Sequence, residues 1–283
     1  MHDASSLPHR SLDTFRYSDH NCEAEIQGAL IALKCKPKWH RMVTRKKRGC
    51  IKEFSRASRL RMLKMVARIN WPKARTGLFV TLTFPDECLP MVSIARMRAV
   101  WELFRRMEKS LGHSLCALWR CEWLPRDSGK HVGVSMPHYH LIIFSVRYFP
   151  YWELNAIWKS VLGVNTYVRT ECKRLANERA HGGYIAKYCA KVPSVSSLVS
   201  GAYSRIDGKH WGYYKANALP LAIKEYFTDL PAEVVETLRK IGAAELKWYD
   251  PEVDKGFCIL GRFGRRLVRQ VLQLLLDSEA VSR

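Results

Sequence analysis

The sequence predicts an α+β fold: an antiparallel split βαβ sheet of the ferredoxin or RRM-like kind, with flanking helices on one face. Three observations predict it. Short apolar runs alternate with helical-period segments in the order β-α-β-β-α-β-α between residues 77 and 191. A turn-rich stretch at 124–135 joins two strand-like runs directly, which makes them antiparallel neighbours. The chain has 283 residues, of which 47% are hydrophobic, enough to bury a real core.

Residues 77–84 read as a buried strand, ended by Pro85 and Asp86. Ser93 caps a helix running to about Leu111, with Ile94, Met97, Trp101 and Phe104 in register, and Gly112 stops it. Residues 114–123 form the second strand and 136–144 the third. Pro150 opens a second helix carrying Trp152, Ile157, Trp158 and Val161, closed by Gly163. A fourth strand is expected over 164–170 and a third helix over 176–191. After Pro193 a Ser-rich link leads to helices near 231–241 and 263–276. The chain therefore divides into a basic helical N-terminal arm (1–76), a central domain (77–192) and a helical C-terminal extension (193–283).

The formal net charge is +21, a surplus that favours a polyanion, because each neutralised phosphate releases condensed counterions. From Lys34 to Arg75 Glu53 is the single acid among Lys and Arg residues. Within this stretch Leu60, Leu63, Val66 and Ile69 recur at helical intervals over 55–69, a basic amphipathic helix with one face packed. Arg45, Lys46, Lys47, Arg48, Arg56 and Arg59 are the candidate DNA contacts. A merely solvated charged face is the competing account. No apolar run approaches the roughly 20 residues of a membrane span, and no signal peptide opens the chain, so a cytoplasmic protein is expected. Nine cysteines, scattered without Cys-x-x-Cys spacing, argue against a zinc ribbon and a disulfide framework. Cys116, Cys121, Cys172 and Cys189 read as small buried thiols.

The chemistry concentrates in two places. His138 and His140 open the third strand, and a period of two puts both imidazoles on one face. Two imidazoles side by side can hold one divalent ion. Glu122, near the end of the preceding strand, is brought beside them by the hairpin as a candidate third ligand. Such a set suits Mn²⁺, Mg²⁺ or Zn²⁺ and leaves positions open for phosphate oxygens. The competing accounts are structural histidines and a Glu122 salt bridge to Arg120, Arg126 or Lys130.

The second place is the helix over 176–191. At 100° per residue Tyr184, Lys187, Tyr188 and Lys191 share a stripe, while Ile185, Ala186, Cys189 and Ala190 can pack inward. The two hydroxyls stand one turn apart. A phenol, with pKa near 10, is a poor nucleophile unless it meets a polarised phosphate. Lys187 and Lys191 can lower the phenol pKa or neutralise charge on phosphoryl oxygens. A wet face of an amphipathic helix is the alternative.

Residues 79–84, 137–144 and 184–191, in this order, resemble the three motifs of rolling-circle replication initiators of the HUH endonuclease superfamily. The likeness is nearest to the two-tyrosine initiators of small single-stranded DNA phages and related plasmids, and it covers about 77–192. The resemblance implies a metal-dependent nickase and ligase acting on origin DNA, with Mg²⁺ or Mn²⁺ at His138, His140 and Glu122. It implies attack by Tyr188 first, with Tyr184 as its partner, giving a 5′-phosphotyrosine link and a free 3′-OH. A host polymerase would extend that end, and with no Gly-x-x-x-x-Gly-Lys-[Ser/Thr] loop in the sequence a host helicase is the expected partner. No small-molecule cofactor and no membrane partner are implied. A relaxase or single-strand transposase of the same superfamily is one alternative, although relaxases place the tyrosine before the histidines and such transposases are usually shorter. A non-catalytic single-strand-binding module is the other.

Overall fold

A computed structural model describes residues 21–36, 54–74, 77–88, 93–126, 132–133, 135–175, 208–246, 256–260 and 265–281. Strands β1 (Asn21–Gln27) and β2 (Leu30–Lys36) precede helix α1 (Arg56–Ala67). The central region follows as β3 (Gly77–Thr83), α2 (Ser93–Leu111), β4 (Cys116–Pro125), β5 (Ser135–Phe144), α3 (Tyr151–Leu162) and β6 (Thr170–Arg174). Then come β7 (Trp211–Tyr214), β8 (Lys224–Phe227), α4 (Ala232–Glu245), β9 (Gly256–Leu260) and α5 (Arg265–Val281).

The central sheet has the order β6-β3-β5-β4-β7, with every neighbouring pair antiparallel. β3 and β4 run the same way with β5 inserted between them, so the predicted split βαβ arrangement is present. Alternation explains the packing. Leu78, Val80, Leu82, Ala117, Trp119, Cys121, Tyr139, Leu141 and Ile143 face α2 and α3 in one buried core with Phe104 and Trp158. The opposite face is covered too, which differs from the expected one-sided layer. There α1 packs over Phe79, Leu118, Ile142 and Phe144 at one end of the sheet, with Phe54, Met62 and Leu219 filling the gap.

Helix α1 begins where the sequence put it, with the Ser55 side chain accepting from the Ser58 N–H at 3.3 Å. Its packed face differs: Met62 and Ala67 are buried, while Leu60 is exposed. The fourth strand also differs. Residues 164–169 pair with no strand, and β6 starts at Thr170, opposite Leu82. Val168 made the earlier run look strand-like, but it is a core plug, and Asn155 Nδ2 donates to its carbonyl at 2.8 Å.

A second sheet, β8-β1-β2-β9, packs one face against α4 and α5. It draws strands from the segment read as a helical arm and from the segment read as a helical extension, so those two stretches share one core instead of standing apart. Cys22 and Cys35, opposite each other in the β1–β2 register, form a disulfide, a correction to the reading of the cysteines as unpaired thiols. Cys116 and Cys121 are buried and Cys172 partly so, as expected; Cys189 lies outside the described residues. The end of α1 joins the two sheets: Ala29 N–H donates to Ala67 O at 2.8 Å, Arg68 reaches Glu25 at 2.8 Å, and Asn70 N–H donates to Pro220 O at 2.8 Å. Among the described residues no helix is long and apolar enough to cross a membrane.

Candidate functional site

The sheet face that α1 covers at one end is polar at the other, and the register builds this polar end row by row. Thr83, His138 and Glu122 stand side by side on β3, β5 and β4. The next row holds Glu171, Thr81, His140, Arg120 and Trp211, and the one after it Phe79, Ile142 and Leu118, under α1. The two imidazoles therefore share a face, as alternation requires, while Tyr139 between them points into the back core.

His140 is buried and fixed from three sides. Its ring stacks on Phe79 with centroids 5.7 Å apart and planes 14° apart. Its Nε2 lies 3.1 Å from Glu122 Oε2 and its Nδ1 3.3 Å from Thr81 Oγ1. A tautomer with the proton on Nε2 satisfies both contacts, donating to the carboxylate and accepting from the hydroxyl. The other Glu122 oxygen lies 3.2 Å from the Arg120 guanidinium, which sits 4.8 Å over the Phe54 ring. Phe54 in turn stacks on His210, whose carbonyl accepts from Cys121 N–H at 2.8 Å. Glu122 thus does both things that the sequence left open: it reaches a histidine and it forms the salt bridge to Arg120.

His138 is half-buried, and burial pushes its pKa down to about 4. The His140 ring adds to this, Glu122 opposes it, and the positive charges of Arg126 and Arg169 lower it further. At neutral pH the imidazole is therefore uncharged, the form in which it can donate a lone pair to a metal.

Does the donor set fit an ion? Two ligands about 2.1 Å from one ion at right angles lie roughly 3 Å apart, and His140 Nε2 and Glu122 Oε2 have that separation, 3.1 Å. His138 projects from the same face two residues away. Among the described residues, no three His, Cys, Asp or Glu side chains stand close enough together to hold an ion. The pair fits two adjacent ligand positions, and a third needs the His138 ring to turn toward them.

Tyr184, Lys187, Tyr188 and Lys191 lie outside the described residues, as do Arg45, Lys46, Lys47 and Arg48. Of the arm residues, Arg56 is exposed and Arg59 half-buried on α1. Sequence reasoning did not single out Thr81 as the partner of His140, nor the rim residues Arg126, Asp86 and Arg169. Arg126 forms an ion pair with Asp86, and Arg169 lies 3.8 Å from Glu171. The signal for Thr81 was present, since Phe79, Thr81 and Thr83 alternate with Leu78, Val80 and Leu82. The rim had none, because it forms from loop residues of separate strands.

A split βαβ sheet presenting a histidine pair and a carboxylate on one open face is the class of protein defined so far. Residues 77–193 match the family model for the replication-associated protein ORF2 family, consistent with a rolling-circle replication initiator. The match starts at the first residue of β3 and spans both the histidines and the tyrosine stripe. No curated protein and no solved structure is similar enough to the chain to count as a match.

Proposed function

We propose that this protein is a replication initiator that nicks and rejoins single-stranded origin DNA by transesterification. The observation that carries the reading is the joint placement of His138, His140 and Glu122 on the open sheet end, inside the segment similar to the replication-associated family. In the proposed step the Tyr188 phenol oxygen attacks the scissile phosphorus and the bond to the 3′ oxygen breaks. The phenol proton passes to solvent, and the 3′ oxygen leaves as a hydroxyl. The phosphotyrosine ester keeps the energy of the phosphodiester, so rejoining needs no nucleotide. Tyr184 would serve a second cleavage that releases the product strand.

His138, His140 and Glu122 would hold a divalent ion, Mg²⁺ or Mn²⁺, whose chemistry is to polarise the phosphate. The residues themselves do the positioning: Thr81 and Phe79 fix the His140 ring, and Arg120 fixes the Glu122 carboxylate. Lys187 and Lys191 would neutralise charge on the phosphoryl oxygens. Host helicase and polymerase would act on the product.

The test is incubation with origin-like single-stranded DNA and Mn²⁺ or Mg²⁺, followed by denaturing electrophoresis. A covalent adduct is expected, absent with chelator, absent in the Tyr184→Phe, Tyr188→Phe double variant, and absent in His138→Ala. Cleavage that ignores chelator would sink the metal assignment. A second reading, a non-catalytic single-strand-binding module, draws on the Arg120–Glu122 pairing, which gives the carboxylate a structural role. It expects binding with no adduct at all.

A further inference from the structure

The connection from α3 to β6 carries an exposed aromatic ring and a cation that the cleavage step does not use. Val168 is buried, at 1% exposure, and its two neighbours turn the other way: Tyr167 is 76% exposed and the Arg169 side chain 69%. The backbone beneath them is held in place. The Arg169 carbonyl accepts from the Thr83 N–H at 3.2 Å and also from the Thr83 hydroxyl. The Val168 carbonyl accepts from Asn155 Nδ2 at 2.8 Å. Thr83 stands directly across from His138 in the register, so this short rail borders the histidine face.

We propose that Tyr167 and Arg169 form a docking step for single-stranded DNA beside His138, a base stacking on the Tyr167 ring while the adjoining phosphate engages the Arg169 guanidinium. This rests on the reading of the face as a DNA-cleavage site. Every base offers a π-face, so one exposed ring beside one cation suits a single strand of any sequence. The Arg169 pairing with Glu171 is long, at 3.8 Å, and both side chains are exposed, so exchanging it for a phosphate costs little. Arg126, on the other side of His138 at the end of β4, adds positive potential without leaving Asp86. A duplex offers no free base face and is expected to use the rail poorly.

The test is fluorescence anisotropy of the full-length protein with a mixed-sequence single-stranded oligonucleotide across a salt series. Tyr167→Ala should weaken binding roughly 5- to 100-fold without changing the salt slope, as loss of one stacked base does. Tyr167→Phe, which keeps the ring, should bind like the parent. Arg169→Gln should reduce the magnitude of the salt slope by about 0.7, one phosphate on a single strand. Trp152→Ala and Arg105→Gln, exposed positions on helices of the opposite layer, serve as controls and should change nothing. Parental affinity and slope in both Tyr167→Ala and Arg169→Gln would overturn the proposal, as would an equal loss in Tyr167→Phe. A parent protein that binds through these residues yet forms no adduct keeps this inference and sinks the nicking reading. Adduct formation with unchanged binding in the variants does the reverse.

Discussion

His140 Nε2 and Glu122 Oε2 lie 3.1 Å apart across two strands, and the same carboxylate holds the buried Arg120 at 3.2 Å. Glu122 therefore serves a structural pair as well as the candidate metal position, and substitution should separate the two. Glu122→Ala leaves Arg120 without the carboxylate in a site where both are buried, which should cost on the order of 3–5 kcal/mol in denaturant unfolding. Glu122→Gln keeps the shape and a hydrogen-bond acceptor, so it should unfold at a smaller loss. If Glu122 is a ligand, Glu122→Gln should still weaken Mn²⁺ binding by calorimetry. Parental Mn²⁺ affinity in a folded Glu122→Gln protein would assign the carboxylate to structure alone.

His138 sets a pH dependence whose sign follows from its lowered pKa. The unfolded chain takes up the proton near pH 6.5, whereas the folded protein resists until about pH 4. Between those values the unfolded state binds more protons, so stability should fall as pH drops from 6.5 toward 4 and be fully present above 6.5. Urea unfolding with chelator present should show this slope, and His138→Gln should flatten it. An unchanged slope in the variant would place the titration elsewhere.

Glu25 gives a second, lower window. Burial alone would raise its carboxyl pKa, but the Lys34 hydrogen bond and the charges of Lys34, Arg68 and Lys224 outweigh burial and hold it below the ordinary carboxylate value. A folded pKa below the unfolded one means stability present above the unfolded value and lost as pH falls through the folded one. Glu25→Gln should thus be less stable than the parent at neutral pH, and the gap should narrow below pH ~4.5. Since Arg68 follows α1, the variant should also speed amide exchange at Ala29, whose N–H is bonded to Ala67 O.

The same hairpin carries a steric requirement at Gly28. Its φ is +61°, and a Cβ there would come within 2.7 Å of the Ala67 carbonyl oxygen. Gly28→Ala combines left-handed strain with a backbone clash, so a loss of about 1–3 kcal/mol is expected. Melting followed by circular dichroism should show it. A neutral outcome would mean that the hairpin tip does not rest on α1.

The central sheet was legible because its strands carry strict period-two patterns and its helices carry caps. β3, α2, β5 and α3 fall within a few residues of their expected bounds. The register then followed, since a hairpin joining β4 to β5 puts Glu122 beside His138. The second sheet was not legible. β1 and β2 pair with β8 and β9 from the far end of the chain, and short mixed strands such as Lys224–Phe227 carry no local period that announces a distant partner. Arg120 and Thr81 were missed as partners of the site for another reason: alternation says which face a side chain takes, while its bonds depend on rotamers and on a third strand. β6 slipped because Val168 is β-branched and buried, a strand-like signal from a residue that plugs the core.

Gly212 tests how β7 completes the sheet. A Cβ at this position would lie 2.7 Å from Trp119 Cζ2 and 2.9 Å from Cε2. Trp119 cannot yield readily, because it is 3% exposed and packed by Trp101 and Tyr139 with centroids 6.1 and 5.9 Å away. Gly212→Ala must therefore push β7 away from β4. That shift strains the contacts on either side of it: Trp211 Nε1 donating to Ser58 at 3.0 Å, and His210 O accepting from Cys121 N–H. The expected loss is about 1–3 kcal/mol, the ordinary cost of overpacking. Hydrogen exchange should localise it, with faster exchange in β7 and at Cys121, and little change in β1 and β2. Because His210 stacks on Phe54 beneath Arg120, the variant should also loosen the Arg120–Glu122 pair and lower Mn²⁺ affinity if Glu122 is a ligand. Uniform exchange with parental stability would show that β7 is not fixed against Trp119.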